Sequence, residues 1–125
     1  MTNYKLVAQV FNDFLALYRG KGSYGIEDYY IQYAGNTLFE AMMGNLNAAQ
    51  NLPSVPDALK DMYEVFKKYR GKRITDRDWE TIHNRYLEVN KKYHENRWCQ
   101  QIMLVLMKYL ENDDRELAQQ EEKAA

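Results

Sequence analysis

Apolar side chains recur at helical spacing in five stretches of the chain, and most of the intervals between them contain glycine or proline. Recurrence at i, i+3, i+4 and i+7 is typical of a helix that buries one stripe. No stretch shows the strict alternation of a half-buried strand, although residues 69–75 are a weak strand candidate. The pattern predicts helices over residues 2–19, 26–51, 54–71, 75–93 and 98–110.

The second stretch can be one helix or two. Gly35 weakens its middle, and Asn36 or Thr37 could cap a new helix there. If the helix is unbroken, an advance of about 100° per residue separates two stripes. The first stripe reads as core and comprises Ile31, Ala34, Leu38, Met42, Leu46 and Ala49. The second lies on nearly the opposite side and comprises Ile26, Tyr29, Tyr30 and Tyr33.

The stretch from Thr75 to Leu110 contains no glycine or proline, but its apolar stripe changes phase. Thr75 and Asp78 form a capping-box pattern at the start. The stripe through Trp79 and the stripe through Trp98 are out of phase by roughly a third of a turn on one ideal helix. A core on one side therefore predicts a break at residues 93–97, and a single long helix is the competing model.

These elements predict an all-α fold, a compact bundle of four to six helices in a single domain over residues 1–112. The nearly all-apolar turn at residues 102–107 is typical of a central, buried helix. After Leu110 the composition becomes polar and acidic. Residues 113–125 are therefore expected to be a frayed polar tail.

Composition narrows the classes of function. The 125 residues carry a net charge of −1, and 46% of them are hydrophobic. That balance disfavours both a globally basic nucleic-acid binder and a disordered chain. The single cysteine allows no internal disulfide. The longest apolar run has six residues and no targeting segment is apparent, so we expect a cytoplasmic protein that does not bind a membrane.

The stretch from residue 22 to residue 59 contains no Lys or Arg but several tyrosines. Interface cores are typically poor in charge and rich in aromatic side chains. Tyrosine offers a large contact area at low entropic cost. The composition fits burial of these tyrosines inside the domain, and it equally fits a partner-binding face, for a protein partner or in a homodimer. The candidate residues are Tyr24, Tyr29, Tyr30 and Tyr33.

A basic cluster occupies residues 67–73, where five of seven side chains are cationic. Such a cluster attracts phosphates, so binding of nucleic acid is one hypothesis and binding of an acidic protein another. Cations at a helix C-terminus also stabilise the helix dipole, which is the structural alternative. The cluster comprises Lys67, Lys68, Arg70, Lys72 and Arg73.

No catalytic or metal-binding constellation is complete. Glu80 and His83 have the Glu-x-x-His spacing of di-iron bundles, but those sites need the motif twice. Cys99 has no base at helical reach and is expected to be a buried, inert thiol. We therefore expect no catalytic residue, no metal and no cofactor.

Three segments carry a resemblance: the acidic, tryptophan-containing helix start at residues 74–80, the Lys-Lys-Tyr of residues 91–93, and the apolar helix end at residues 106–111. Together they resemble small helical accessory proteins of bacterial mobile elements. The resemblance covers about a third of the chain. It implies a prophage or plasmid accessory protein, including one that blocks a host defence enzyme by binding it. The sequence thus predicts a non-enzymatic protein-binding protein, with a nucleic-acid-binding accessory protein as the alternative.

Overall fold

The computed structural model describes residues 1–21 and 25–124, and these residues form helices and no strand. The all-α prediction is confirmed. The number of helices exceeds the predicted four to six because the second stretch is divided into three. The helices are α1 (Tyr4–Tyr18), α2 (Ile26–Gln32), α3 (Thr37–Gly44), α4 (Leu46–Ala49), α5 (Val55–Tyr69), α6 (Asp76–Lys92) and α7 (Arg97–Ala124).

Gly35 separates α2 from α3. Its φ of +77° lies in the left-handed region, which costs glycine little and ends a helix. Asn36 then caps α3 by accepting a hydrogen bond from the Phe39 backbone N–H at 2.9 Å. This break changes the helical phase, so the core stripe predicted for an unbroken helix is wrong in its first half. Ile31 is 77% exposed, whereas Leu38 is fully buried.

The predicted break between α6 and α7 is confirmed, and it forms without glycine. His94 and Glu95 both adopt a φ of 56°, in the left-handed region. Asn96 then caps α7 by accepting a hydrogen bond from the backbone N–H of Cys99. The predicted capping box of Thr75 and Asp78 is also present at the start of α6.

The central helix is α7, which packs most extensively on α3 and α5 and also contacts α4 and α6. Trp98 is fully buried, and its indole N–H donates to the Met42 carbonyl at 2.8 Å. Ile102 and Leu106 continue the same buried side. The apolar turn is not buried all round, because Leu104 is 55% exposed.

The expectation of a frayed tail at residues 113–125 is wrong, because α7 continues through Ala124. Asp113 is 3% exposed and accepts hydrogen bonds from the Thr2 backbone N–H and the Tyr4 hydroxyl, both at 2.9 Å. Asp114 accepts from the Ile74 backbone N–H at 2.8 Å. These carboxylates attach the chain start and the α5–α6 loop to α7. The polar composition of residues 113–125 does not predict this role, because the hydrogen-bond partners of the two carboxylates are distant in sequence.

Asp61 connects α5 to the end of α6. Its carboxylate accepts hydrogen bonds from the Lys92 ammonium at 2.7 Å and the Tyr93 hydroxyl at 2.6 Å. Burial by itself would raise the pKa of Asp61, but the hydrogen bonds from Lys92 and Tyr93 outweigh burial and hold that pKa below its ordinary value. The charged carboxylate therefore stabilises the α5–α6 contact.

Within the described ranges, none of the helices combines the length and the apolar character needed to cross a bilayer.

The role of Asp113 can be tested by Asp113→Ala. We expect the free energy of unfolding to fall by about 1–3 kcal/mol, because the Thr2 and Tyr4 donors lose a buried charged acceptor. The neighbouring Asn112 is exposed, so Asn112→Ala is a matched control with a change within about 0.5 kcal/mol. Urea denaturation followed by circular dichroism measures both. Equal stability of the two variants would contradict this role of Asp113 and would support the expectation of a frayed tail.

Candidate protein-interaction surfaces

The expectation that Tyr29 and Tyr33 are exposed for partner binding is wrong. Both side chains are 3% exposed, and their rings stack with centroids 6.4 Å apart. The ring of Tyr33 also packs on Phe39, and its hydroxyl donates to Asp13 on α1. Burial and the hydrogen bond to Asp13 raise the pKa of Tyr33 above its ordinary value. These two tyrosines hold α2 against the rest of the bundle.

An apolar surface nevertheless remains on α2. Ile26 is 46% exposed, Tyr30 is 49% exposed and Ile31 is 77% exposed. We call these three residues the α2 surface. The Tyr30 ring packs on the Phe39 ring, and the two rings meet edge-on with their centroids 5.6 Å apart. Tyr24, the fourth tyrosine of the predicted face, lies outside the described residues.

Sequence reasoning missed Ile31, which it assigned to the core stripe. The signal that could have found it is Gly35, since a break there ends the continuity of phase on which the assignment depended. The lack of cations seen in the sequence is also a property of α2. The exposed charged side chains of α2 are the acidic Glu27 and Asp28, and the sequence has no cation between Lys21 and Lys60.

The two arginines of the basic cluster make intramolecular contacts. Arg70 donates to the Tyr63 hydroxyl at 3.1 Å and lies over the Tyr4 ring. Arg73 pairs with Asp114 at 3.1 Å and with Glu121 at 3.5 Å. Both side chains therefore connect the end of α5 to neighbouring parts of the fold.

The three lysines of the cluster are exposed. Lys72 donates its ammonium hydrogen to the Lys68 carbonyl at 3.2 Å, which satisfies an acceptor at the end of α5. The Lys68 ammonium lies 5.4 Å from the centre of the Tyr69 ring. Lys67 and Lys68 also lie in the last turn of α5, where cations stabilise the helix dipole. The structural alternative thus accounts for part of the cluster.

A groove of about 450 Å³ lies between α6 and α7, and sequence reasoning did not identify it. Leu87 on α6 is 57% exposed and Leu104 on α7 is 55% exposed. The apolar run at residues 102–107, which is wider than one buried stripe, could have signalled it, but only the spacing of the two helices creates the groove. We call this feature the α6–α7 groove. It is lined by His83, Tyr86, Leu87, Asn90, Gln100, Gln101, Met103, Leu104 and Met107.

Potential catalytic and metal-binding side chains are not brought together. Cys99 is buried, and burial raises the pKa of its thiol to about 12, so the nucleophilic thiolate is disfavoured at neutral pH. Glu80 and His83 are exposed on α6. Residues 1–21 and 25–124 contain no group of three His, Cys, Asp or Glu side chains arranged to hold a metal ion.

No protein-family model, curated protein or solved structure proved significantly similar to this chain.

The different roles of the tyrosines can be tested by two alanine substitutions. Tyr33→Ala should lower the free energy of unfolding by about 3–5 kcal/mol, because it removes a buried ring. Tyr30→Ala should lower it by less than about 1.5 kcal/mol, since half of that side chain is exposed. Thermal and urea unfolding measure both variants. A Tyr33→Ala variant as stable as Tyr30→Ala would contradict the assignment of Tyr33 to the core.

Proposed function

We propose that this chain is a non-enzymatic accessory protein that acts by binding another protein through the α2 surface. The observation that carries the proposal is the concentration of exposed apolar area on one short helix. Seven large apolar side chains are exposed in the described part of the chain, and three of them belong to the seven-residue α2. Exposed apolar side chains concentrated on one element often mark interaction sites.

The support under the α2 surface suits a binding role. Tyr29 and Tyr33 are buried, and the Tyr33 hydroxyl donates to Asp13 on α1, so these two side chains attach α2 to the bundle. A pre-organised surface loses less conformational entropy when it binds. The hydroxyl of Tyr30 adds a hydrogen-bonding group at the edge of an apolar contact.

The charges around the α2 surface indicate the kind of partner. Glu27 and Asp28 are exposed on the same helix. A complementary partner therefore presents an apolar patch with Lys or Arg at its rim. The resemblance to accessory proteins of bacterial mobile elements suggests that a host defence enzyme is the partner and that binding blocks it.

The experiment compares substitutions in the α2 surface with a substitution at an exposed polar position of the same helix. A photo-crosslinking amino acid at Ile26 should give a specific protein adduct in bacterial cells that carry the element encoding the chain. Tyr30→Ala and Ile31→Ala should each weaken the purified complex about tenfold, because central apolar contacts dominate binding energy. Gln32→Ala, at an exposed polar position of α2, should change affinity by less than about threefold.

A specific complex that survives both α2 substitutions, or no adduct at Ile26, would contradict the proposal. Circular dichroism of each variant distinguishes a lost contact from a lost fold.

Binding of nucleic acid is the second candidate function, and the observation that favours it is the exposure of Lys67, Lys68 and Lys72. Their affinity for DNA or RNA should fall steeply with salt, because each neutralised phosphate releases counterions. A triple substitution to Gln should remove that binding, whereas Lys60→Gln at another exposed position of α5 should reduce it little. Titration of labelled DNA and RNA at low and moderate salt measures this. No binding at low salt would eliminate the candidate.

A further inference from the structure

The α6–α7 groove has an apolar centre and polar ends. Tyr86 and Met103 are buried in its floor, while Leu87 and Leu104 rise on its two sides. At the end near the α6–α7 turn, the side-chain amide of Gln100 donates to the side-chain Oδ1 of Asn90 at 3.0 Å.

The other end of the groove lies next to a pair of aromatic rings. His83 lines it, and the Trp79 ring lies beside the imidazole with centroids 6.1 Å apart. The floor also includes Met107. Methionine side chains adapt their shape, which suits a surface that receives apolar groups of variable shape.

The dimensions of the groove match one helix face. Its lining runs from His83 to Asn90 on α6 and from Gln100 to Met107 on α7. Each span covers eight residues and rises about 10 Å, which equals the distance from i to i+7 on an occupying helix. A cavity of about 150 Å³ holds a benzene-sized group. The volume of about 450 Å³ therefore suits three large apolar side chains.

The concave shape disfavours a second copy of this chain as the occupant. A two-fold dimer would place two grooves face to face, because such an interface uses the same patch of both protomers. Two concave surfaces in contact at Leu87 and Leu104 leave the groove centres unfilled. Unfilled apolar volume forfeits packing contacts. A convex ridge, such as a helix presents, fills the groove instead.

The charges along the two rims differ. Asp76 and Glu80 share a helical face with Leu87 on α6, and both are exposed. Lys108 and Arg115 share a face with Leu104 on α7, and both are exposed. Glu111 lies between these two cations and pairs with Arg115 at 3.2 Å. Towards the end of the groove nearest His83, the α6 rim is thus acidic and the α7 rim is mainly basic. At the opposite end, Lys91 on α6 and Arg97 on α7 are exposed on these same faces, so both rims are basic there.

We propose that the α6–α7 groove binds an amphipathic α-helix of a partner protein. The helix presents apolar side chains at i, i+3 or i+4, and i+7. At the end of the groove nearest His83, it carries Lys or Arg on the edge that faces α6 and Asp or Glu on the edge that faces α7. This is the helix-in-groove mode of recognition. The site is separate from the α2 surface, because it is built on different helices.

The test uses synthetic fluorescein-labelled peptides of about 16 residues, long enough to form helix when bound. The first has a leucine stripe with Lys on one flank and Glu on the other. Two further peptides keep the stripe but carry only Lys or only Glu. A fourth has the composition of the first, with its leucines scattered around the helix. We expect saturable binding of the first peptide, about threefold weaker binding of the single-charge peptides, and none of the fourth.

The chain offers matched variants for the same assay. Leu104→Glu and Leu87→Glu should each weaken binding of the first peptide about tenfold or more, because a charge enters the apolar contact. Gln120→Glu adds the same charge at an exposed position of α7 outside the groove, and it should leave binding unchanged. Both leucines are more than half exposed, so all variants should keep the wild-type circular dichroism and unfolding midpoint.

Several results would overturn the proposal. They are absence of saturable binding, equal binding of the scattered peptide, and binding that is insensitive to Leu104→Glu. Sedimentation velocity of the protein alone supplies another, since a dimer that Leu104→Glu dissociates would mean that a second copy covers the groove. The assay contains no ligand of the α2 surface, so its result is independent of the proposed function.

Discussion

The burial of α7 is the constraint on which the rest of the fold depends. Its first buried residue, Trp98, is fully enclosed and anchored to α3 through the Met42 carbonyl. A buried indole N–H without a partner would be costly, so this hydrogen bond fixes both the depth and the rotation of α7. Ile102 and Leu106 then face the core by helical periodicity. The same rotation leaves Leu104 on the outside and so creates one side of the α6–α7 groove.

The turns before α3 and α7 each end one helix and lead into the next, but they use different residues. Gly35 reverses the chain at low steric cost, whereas His94 and Glu95 adopt left-handed backbone conformations that non-glycine residues rarely adopt. Asn36 and Asn96 follow these turns and cap the helices that begin there. Asn96 also donates to the Ala48 carbonyl at 2.8 Å, which attaches the second turn to α4. Tertiary contacts therefore support the more strained of the two turns.

Polar side chains carry more of the architecture than their sequence context suggests. Asp113 and Asp114 attach the chain start and the α5–α6 loop to α7, and Arg73 pairs with Asp114. Residues that resemble a solvated tail and a phosphate-binding cluster are thus partly structural. Among the described residues, most of the exposed large apolar side chains lie on α2 and along the α6–α7 groove. The sequence predicted neither in its observed form.

The sequence alone determined the helical class, the break before α7, and the capping box of Thr75 and Asp78. It could do so because periodicity and capping depend on residues within a few positions of one another. Only the tertiary structure decided that Tyr33 is buried while Tyr30 is exposed, and that Asp113 is enclosed. It also decided that Leu87 and Leu104 flank one groove. These outcomes depend on how helices distant in sequence rotate and approach each other, and single-helix periodicity contains no information on that.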